Sequence, residues 1–284
     1  MEQVKLYDTT LRDGMGGKGM SLSVGEKLNV VRALDRLGVQ FIEAGFPSSN
    51  PKEAELFARL AELELENATV SAFGMTRRRD LRAEDDEALR TLVESFAPVV
   101  CLVGKSWVLH LEKVIRVSRE ENLAMIADSI SFCREQGKRP VFDAEHFFDG
   151  YRDDPGYALE CVRAAADAGA ENVTLCDTNG GSLPDHVTAA TAAVLADVGD
   201  RVEIGIHTHN DSECAVAAEG DRVGDHRPVL LRRDPDHLLH VQAPALADQA
   251  DDGRERLERI DAEPYRGDPP ALAPFEQGVN DLLD

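Results

Sequence analysis

The stretch "RVEIGIHTHNDSE" (201–213) runs from alternating apolar residues into two histidines, an asparagine and an aspartate. Successive side chains of a strand point to opposite faces, so His207 and His209 would share one. An apolar body with a polar end recurs along the chain. The runs "QVKLYD" (3–8), "VQFIEAG" (39–45), "ATVSAFG" (68–74), "PVVCLVG" (98–104), "RPVFDAE" (139–145) and "NVTLCDT" (172–178) precede it. Between them lie segments with apolar residues three and four apart, such as Val24, Leu28, Val31 and Leu34, which is helical periodicity. Their boundaries carry chemistry as well. Ser23 with Glu26 forms a capping-box pattern, and Gly38 supplies a stop. Pro51 follows Asn50 at a first helical position. Ser118 with Glu121 opens a long segment that Gly137 closes.

Seven β-then-α units predict a parallel sheet with right-handed crossovers. Eight would close a TIM (β/α)8 barrel; an open, doubly wound sheet is the alternative. Polar residues gather where the strands end: Arg12 and Asp13, Glu43, Glu145 and His146, Asp177 and Thr178, His207 and His209. Loops of an open sheet meet mainly at one switch point. A barrel brings all of them to one mouth, and this distribution favours it. The expected fold is therefore α/β, a TIM-type barrel over residues 1–217 with its eighth βα unit missing or divergent. Residues 218–284 break the pattern, with 7 of the 13 prolines and no lysine. They read as an irregular or disordered tail. Its apolar runs "PVLLRR" (228–233) and "HLLHVQ" (237–242) are the candidates to pack near strands one and seven.

The formal charge is −22, from 31 basic and 53 acidic residues, and only 7 of the basic ones are lysine. Such a surface repels phosphate backbones and anionic lipids, which argues against nucleic-acid and membrane partners. The first residues lack a signal peptide's charged start and apolar core, and no apolar run reaches about 18 residues. A cytoplasmic protein is expected. The five cysteines are scattered, odd in number and without a C-x-x-C pair, so they read as buried small hydrophobes.

By themselves, His207 and His209 have only a modest claim to metal, since a lone H-x-H on a strand is more often structural than ligating. Asp13 shifts the balance, because closing a barrel between strands one and seven brings its carboxylate to the same mouth. Two imidazoles and one carboxylate with open positions suit a divalent cation that also binds substrate. The competing role for Asp13 is turn chemistry in "RDG".

The stretches "LYDTTLRDG" (6–14), "CDTNGG" (176–181) and "GIHTHNDS" (205–212) resemble the DRE-TIM metallolyase superfamily. Its members include isopropylmalate, homocitrate and citramalate synthases and hydroxymethylglutaryl-CoA lyase. "FIEAGFPSSNPK", "AFGMTRRR", "VGKSW" and "DAEHFFDGYRDDP" look most like the citramalate synthase branch, and the similarity runs from about residue 4 to 217. The resemblance implies a homodimeric acyltransferase that condenses acetyl-CoA with a 2-keto acid, pyruvate for that branch, on the route to isoleucine. A divalent ion (Mg²⁺ or Mn²⁺, with Zn²⁺ a further option) would sit on Asp13, His207 and His209. Arg12 would bind substrate and stabilise the developing alkoxide, while Thr178 would donate to the substrate carboxylate. Glu43 would orient substrate and Glu145 would relay protons; ion pairing with Arg12 or another mouth arginine is the alternative for both. Without the resemblance, Thr178 reads equally well as a β-former.

Two departures accompany the likeness. The family's D-G-x-Q motif has Gly16 in the glutamine's place, with Lys18 nearby as a solvated or substrate-facing cation. The family's eighth-strand asparagine ligand has no counterpart after "HTHNDSECAVA". A carbon–carbon lyase and a non-catalytic truncated relative are the competing functional expectations.

Overall fold

The computed structural model describes residues 4–17, 19–215 and the strand at 229–233. Its frame is a ring of parallel strands in chain order: β1 (Lys5–Asp8), β2 (Phe41–Gly45), β3 (Thr69–Met75), β4 (Val99–Lys105), β5 (Arg139–Glu145), β6 (Asn172–Asp177), β7 (Glu203–Thr208) and β8 (Val229–Arg233). Helices α1 (Val24–Leu37), α2 (Pro51–Leu60) and α3 (Glu87–Glu94) return the chain after β1, β2 and β3. After β4 comes a short turn, α4 (Val108–His110), which runs into a π-helical turn at Leu111–Ile115 and then α5 (Arg119–Glu135). Helices α6 (Phe147–Asp153) and α7 (Pro155–Ala168) follow β5, and α8 (Pro184–Val198) follows β6.

The helix signals act where the sequence places them. Ser23 and Glu26 form the reciprocal capping box, and Gly38 takes the left-handed conformation at φ 84°. Asn50 caps α2 with Pro51 in its first turn, and the Ser118 hydroxyl accepts from the Glu121 amide.

Strand alternation sorts the core into two layers. Ile42, Val100, Leu102, Phe142, Ala144, Val173, Leu175, Ile204 and Ile206 join the layer under the helices. Their neighbours Phe41, Val99, Cys101 and Val141 pack with Tyr7 and Phe73 as a separate interior cluster. The period of two therefore also turns Glu43, Asp143, Glu145, Cys176 and His207 inward.

The run "PVLLRR" supplies β8, which pairs in parallel with both β7 and β1. The barrel wall thus includes a strand beyond residue 217. Its backbone stands in for the divergent eighth unit: Leu230 pairs with Lys5 and Gly205, and Arg232 pairs with Tyr7 and His207. Both of the strands that seven units would leave open are paired. The second apolar run, "HLLHVQ", and the rest of the proposed tail lie outside the described residues, as does Lys18. Among the described residues no helix is long and apolar enough to cross a membrane. Cys101, Cys133, Cys161 and Cys176 are buried and Cys214 is half-buried.

Candidate active site

The segment after β1 is folded over the barrel by its own backbone. Thr9 carbonyl accepts from the amides of Arg12, Asp13 and Gly14 at 3.1, 2.9 and 3.2 Å. Asp8 anchors the strand end, accepting from the Thr10 amide and hydroxyl. The chain then enters a 3-10 turn at Asp13–Gly16, which delivers Arg12 and Asp13 together to the mouth.

There Asp13 meets both histidines. Its Oδ2 lies 3.3 Å from His207 Nε2 and 3.6 Å from His209 Nε2. The two rings stack with centroids 4.9 Å apart. The potential ligand atoms of the three residues all lie within 4.8 Å of one another. His207 is buried, whereas the Asp13 and His209 side chains keep 24% and 23% of their surface open. One side of the cluster is thus walled and the other accessible. Burial pushes the Asp13 carboxyl up, but the His207 hydrogen bond and the charges of Arg12 and the histidines outweigh it. The net effect holds it below the usual carboxylate range, as an anion. A hard carboxylate and two imidazoles suit a divalent first-row ion or Mg²⁺.

Arg12 is fixed from three sides. Its Nε donates to Glu43 Oε1 at 2.6 Å, and Nη1 lies 3.1 Å from Asp13 Oδ1. Its guanidinium rests 4.3 Å over the Phe73 ring, a cation–π contact. Glu43 is fully buried, and its Oε2 accepts from the Tyr7 hydroxyl at 2.8 Å. Burial works against the Arg12 charge, but Glu43, Asp13 and Asp143 more than restore it and raise its pKa. Glu43 therefore matches the ion-pairing alternative, with both oxygens engaged by protein groups.

Glu145 ends β5 and is paired in register with Lys105 of β4. Lys105 Nζ forms an ion pair with Glu145 Oε2. Lys105 was legible by the same strand-end rule that singled out the other mouth residues. Thr178 follows β6 directly. Its Oγ1 accepts from the His146 amide at 2.9 Å, which leaves the hydroxyl proton to be donated elsewhere. His146 itself is left-handed, at φ 56°. Its Nδ1 lies 3.3 Å from Asp149 Oδ2, which also accepts from Asn179. The His146 ring meets His110 edge-on at 4.3 Å between centroids, beside Trp107. Burial, followed by the neighbouring His146 and Lys105 charges, pushes His110 down to about 4. Asp177 turns to its own loop, accepting from the Ser182 amide and hydroxyl. Gly16 lies in open space, where a side chain would meet no neighbour within 4 Å.

The HMGL-like family model matches residues 3–220. The (R)-citramalate synthase of Streptomyces coelicolor is 49% identical over 213 residues, covering 75% of this chain and 40% of the relative. The 2-isopropylmalate synthase of Stenotrophomonas maltophilia is 34% identical over 220 residues, covering 76% of this chain and 40% of the relative. The chain thus spans about two fifths of the length of the curated relatives it matches. Among solved structures, HMG-CoA lyase of Bacillus subtilis superposes with a TM-score of 0.68 at 17% identity, covering 82% of this chain and 77% of the lyase. That likeness concerns the barrel. The matches in sequence decide the family, and the chain belongs to the HMGL-like family.

Proposed function

We propose that this chain carries the catalytic barrel of an acyltransferase that condenses acetyl-CoA with a 2-keto acid, pyruvate foremost. The observation that carries the reading is Asp13 between His207 and His209, with Arg12 locked beside it. Asp13, His207 and His209 would hold a divalent ion, Mg²⁺ or Mn²⁺ with Zn²⁺ as a further option. When bound, that ion would polarise the keto carbonyl as a Lewis acid.

The protein groups do the rest. Arg12 presents a permanent positive charge beside the oxygen that gains negative charge as the new carbon–carbon bond forms. Glu43, buried and bonded at both oxygens, acts through Arg12 by fixing the guanidinium. Thr178, with one lone pair occupied by the His146 amide, has its proton directed to a substrate carboxylate. Glu145 is the proton relay, its carboxylate placed by Lys105 and by the strand end. In support, Thr178 follows Asp177, whose register partner Thr208 immediately precedes His209. The identity with (R)-citramalate synthases supports pyruvate as the acceptor.

The test is a free-thiol release assay with acetyl-CoA and pyruvate, 2-ketoisovalerate or 2-ketoglutarate, each with and without Mn²⁺. The reading expects metal-dependent thiol release, fastest with pyruvate. Cleavage of a hydroxymethylglutaryl thioester without condensation would favour the lyase reading, and metal-independent or absent turnover would contradict this proposal.

A further inference from the structure

One step inside the mouth, Asp143 and Cys176, two side chains that chemistry does not use as ligands, converge on His207. Cys176 of β6 pairs in register with His207 of β7, and Asp143 of β5 pairs with Thr174, two residues before Cys176. Period-two alternation puts Asp143, Cys176 and His207 on the inner face of three adjacent strands. Their potential ligand atoms lie within 4.8 Å of one another, and all three residues are buried, at 2%, 5% and 3% exposure. A continuous sheet fixes their spacing, unlike a cluster carried on loops.

We infer that Asp143, Cys176 and His207 form a second metal site, one that takes a thiophilic divalent ion such as Cd²⁺ or Zn²⁺. The donor set separates the two sites. Asp13, His207 and His209 offer oxygen and nitrogen, whereas the inner group offers oxygen, nitrogen and sulfur, which selects softer ions. Binding balances in charge: the Cys176 thiol releases its proton to solvent, and thiolate plus carboxylate neutralise the divalent ion.

The sites share His207, and this sharing has a consequence. A neutral imidazole carries a proton on one nitrogen and a lone pair on the other. It cannot ligate two ions without giving up that second proton. Occupation of the inner site therefore excludes ordinary occupation of the outer one, and a thiophilic ion shuts the mouth site from beneath. This exclusion rests on the proposed function of the outer site; the thiolate site itself does not.

Cadmium titrated into the metal-free chain tests both parts. The expected result is a thiolate-to-cadmium charge-transfer band in the ultraviolet, retained in His209→Ala and Cys214→Ser and lost in Cys176→Ser and Cys176→Ala. Cadmium NMR of the unaltered chain gives a readout that needs no variant, and a resonance in the range of a mixed sulfur, nitrogen and oxygen shell is expected. Mn²⁺ loaded beforehand should be released as the band grows, seen as the spectrum of the free ion. Absence of the band, its survival in Cys176→Ser, or a cadmium resonance free of sulfur would overturn the thiolate site. A growing band with Mn²⁺ still bound would overturn the exclusion. The band without any Mn²⁺ binding would support the thiolate site and contradict only the outer centre.

Discussion

Arg12 Nε donates to Glu43 Oε1 across 2.6 Å, from a turn after β1 to a carboxylate fully buried in β2. The pair ties the segment "TTLRDG" (9–14) to the barrel interior. It also leaves Glu43 no surface for a direct substrate contact.

Glu43→Gln keeps the shape and removes the charge opposite Arg12. Breaking one partner of a buried pair typically costs about 3 kcal/mol. Urea unfolding should show a loss of that order. An unchanged midpoint would mean that Arg12 finds equal compensation from Asp13 and Asp143.

Arg12→Lys keeps a cation but loses the planar fork that meets Glu43 and Asp13 at once. Turnover should fall by about two orders of magnitude, the usual effect of removing one donor to developing charge. Mn²⁺ affinity should change little. An active chain indifferent to the substitution would refute the role given to Arg12.

His110 sets a pH dependence. Its pKa is lowered from the ordinary 6.5 to about 4, chiefly by burial. Between those values the unfolded chain binds more protons at this residue, so stability should rise with pH. The contribution is fully present above 6.5 and is lost as pH falls through about 4. Denaturant titrations from pH 4 to pH 7 should show a shallower dependence for His110→Phe than for the unaltered chain. Equal slopes would place the proton elsewhere.

Ser23→Ala removes the capping box of α1, whose side chain accepts from the Glu26 amide. A loss of about 1 kcal/mol is expected, with metal binding unaffected because the cap lies outside the mouth cluster. A coupled loss of Mn²⁺ affinity would show that α1 positions the Asp13 turn.

Much of this arrangement is legible in the sequence because strands impose a period of two. That period puts His207 and His209 on one side and predicts the polar mouth. Applied to "VFDAE", it would also have turned Asp143 inward with Glu145, and at the end of "VVCLVGK" the strand-end rule would have found Lys105. Other features depend on tertiary context. Barrel closure brings Asp13 to the histidines and "RDG" reads as a turn, but the Thr9 carbonyl as the acceptor that holds that turn is not announced by the sequence. Asp177 and Thr178 look equivalent at a strand end, yet Asp177 satisfies Ser182 and only Thr178 meets the His146 amide. The strand β8 is legible only as the apolar run "PVLLRR", a candidate to pack near strands one and seven; five residues carry almost no periodic signal, and the parallel pairing itself comes from the open edges of β1 and β7.

Calorimetric titration of pyruvate into the chain, with and without Mn²⁺, tests the mouth site most directly when paired with Asp13→Asn. The account predicts pyruvate binding only in the presence of Mn²⁺, and loss of both ligands in Asp13→Asn. Pyruvate binding that is equal without Mn²⁺, or undiminished in Asp13→Asn, would contradict it.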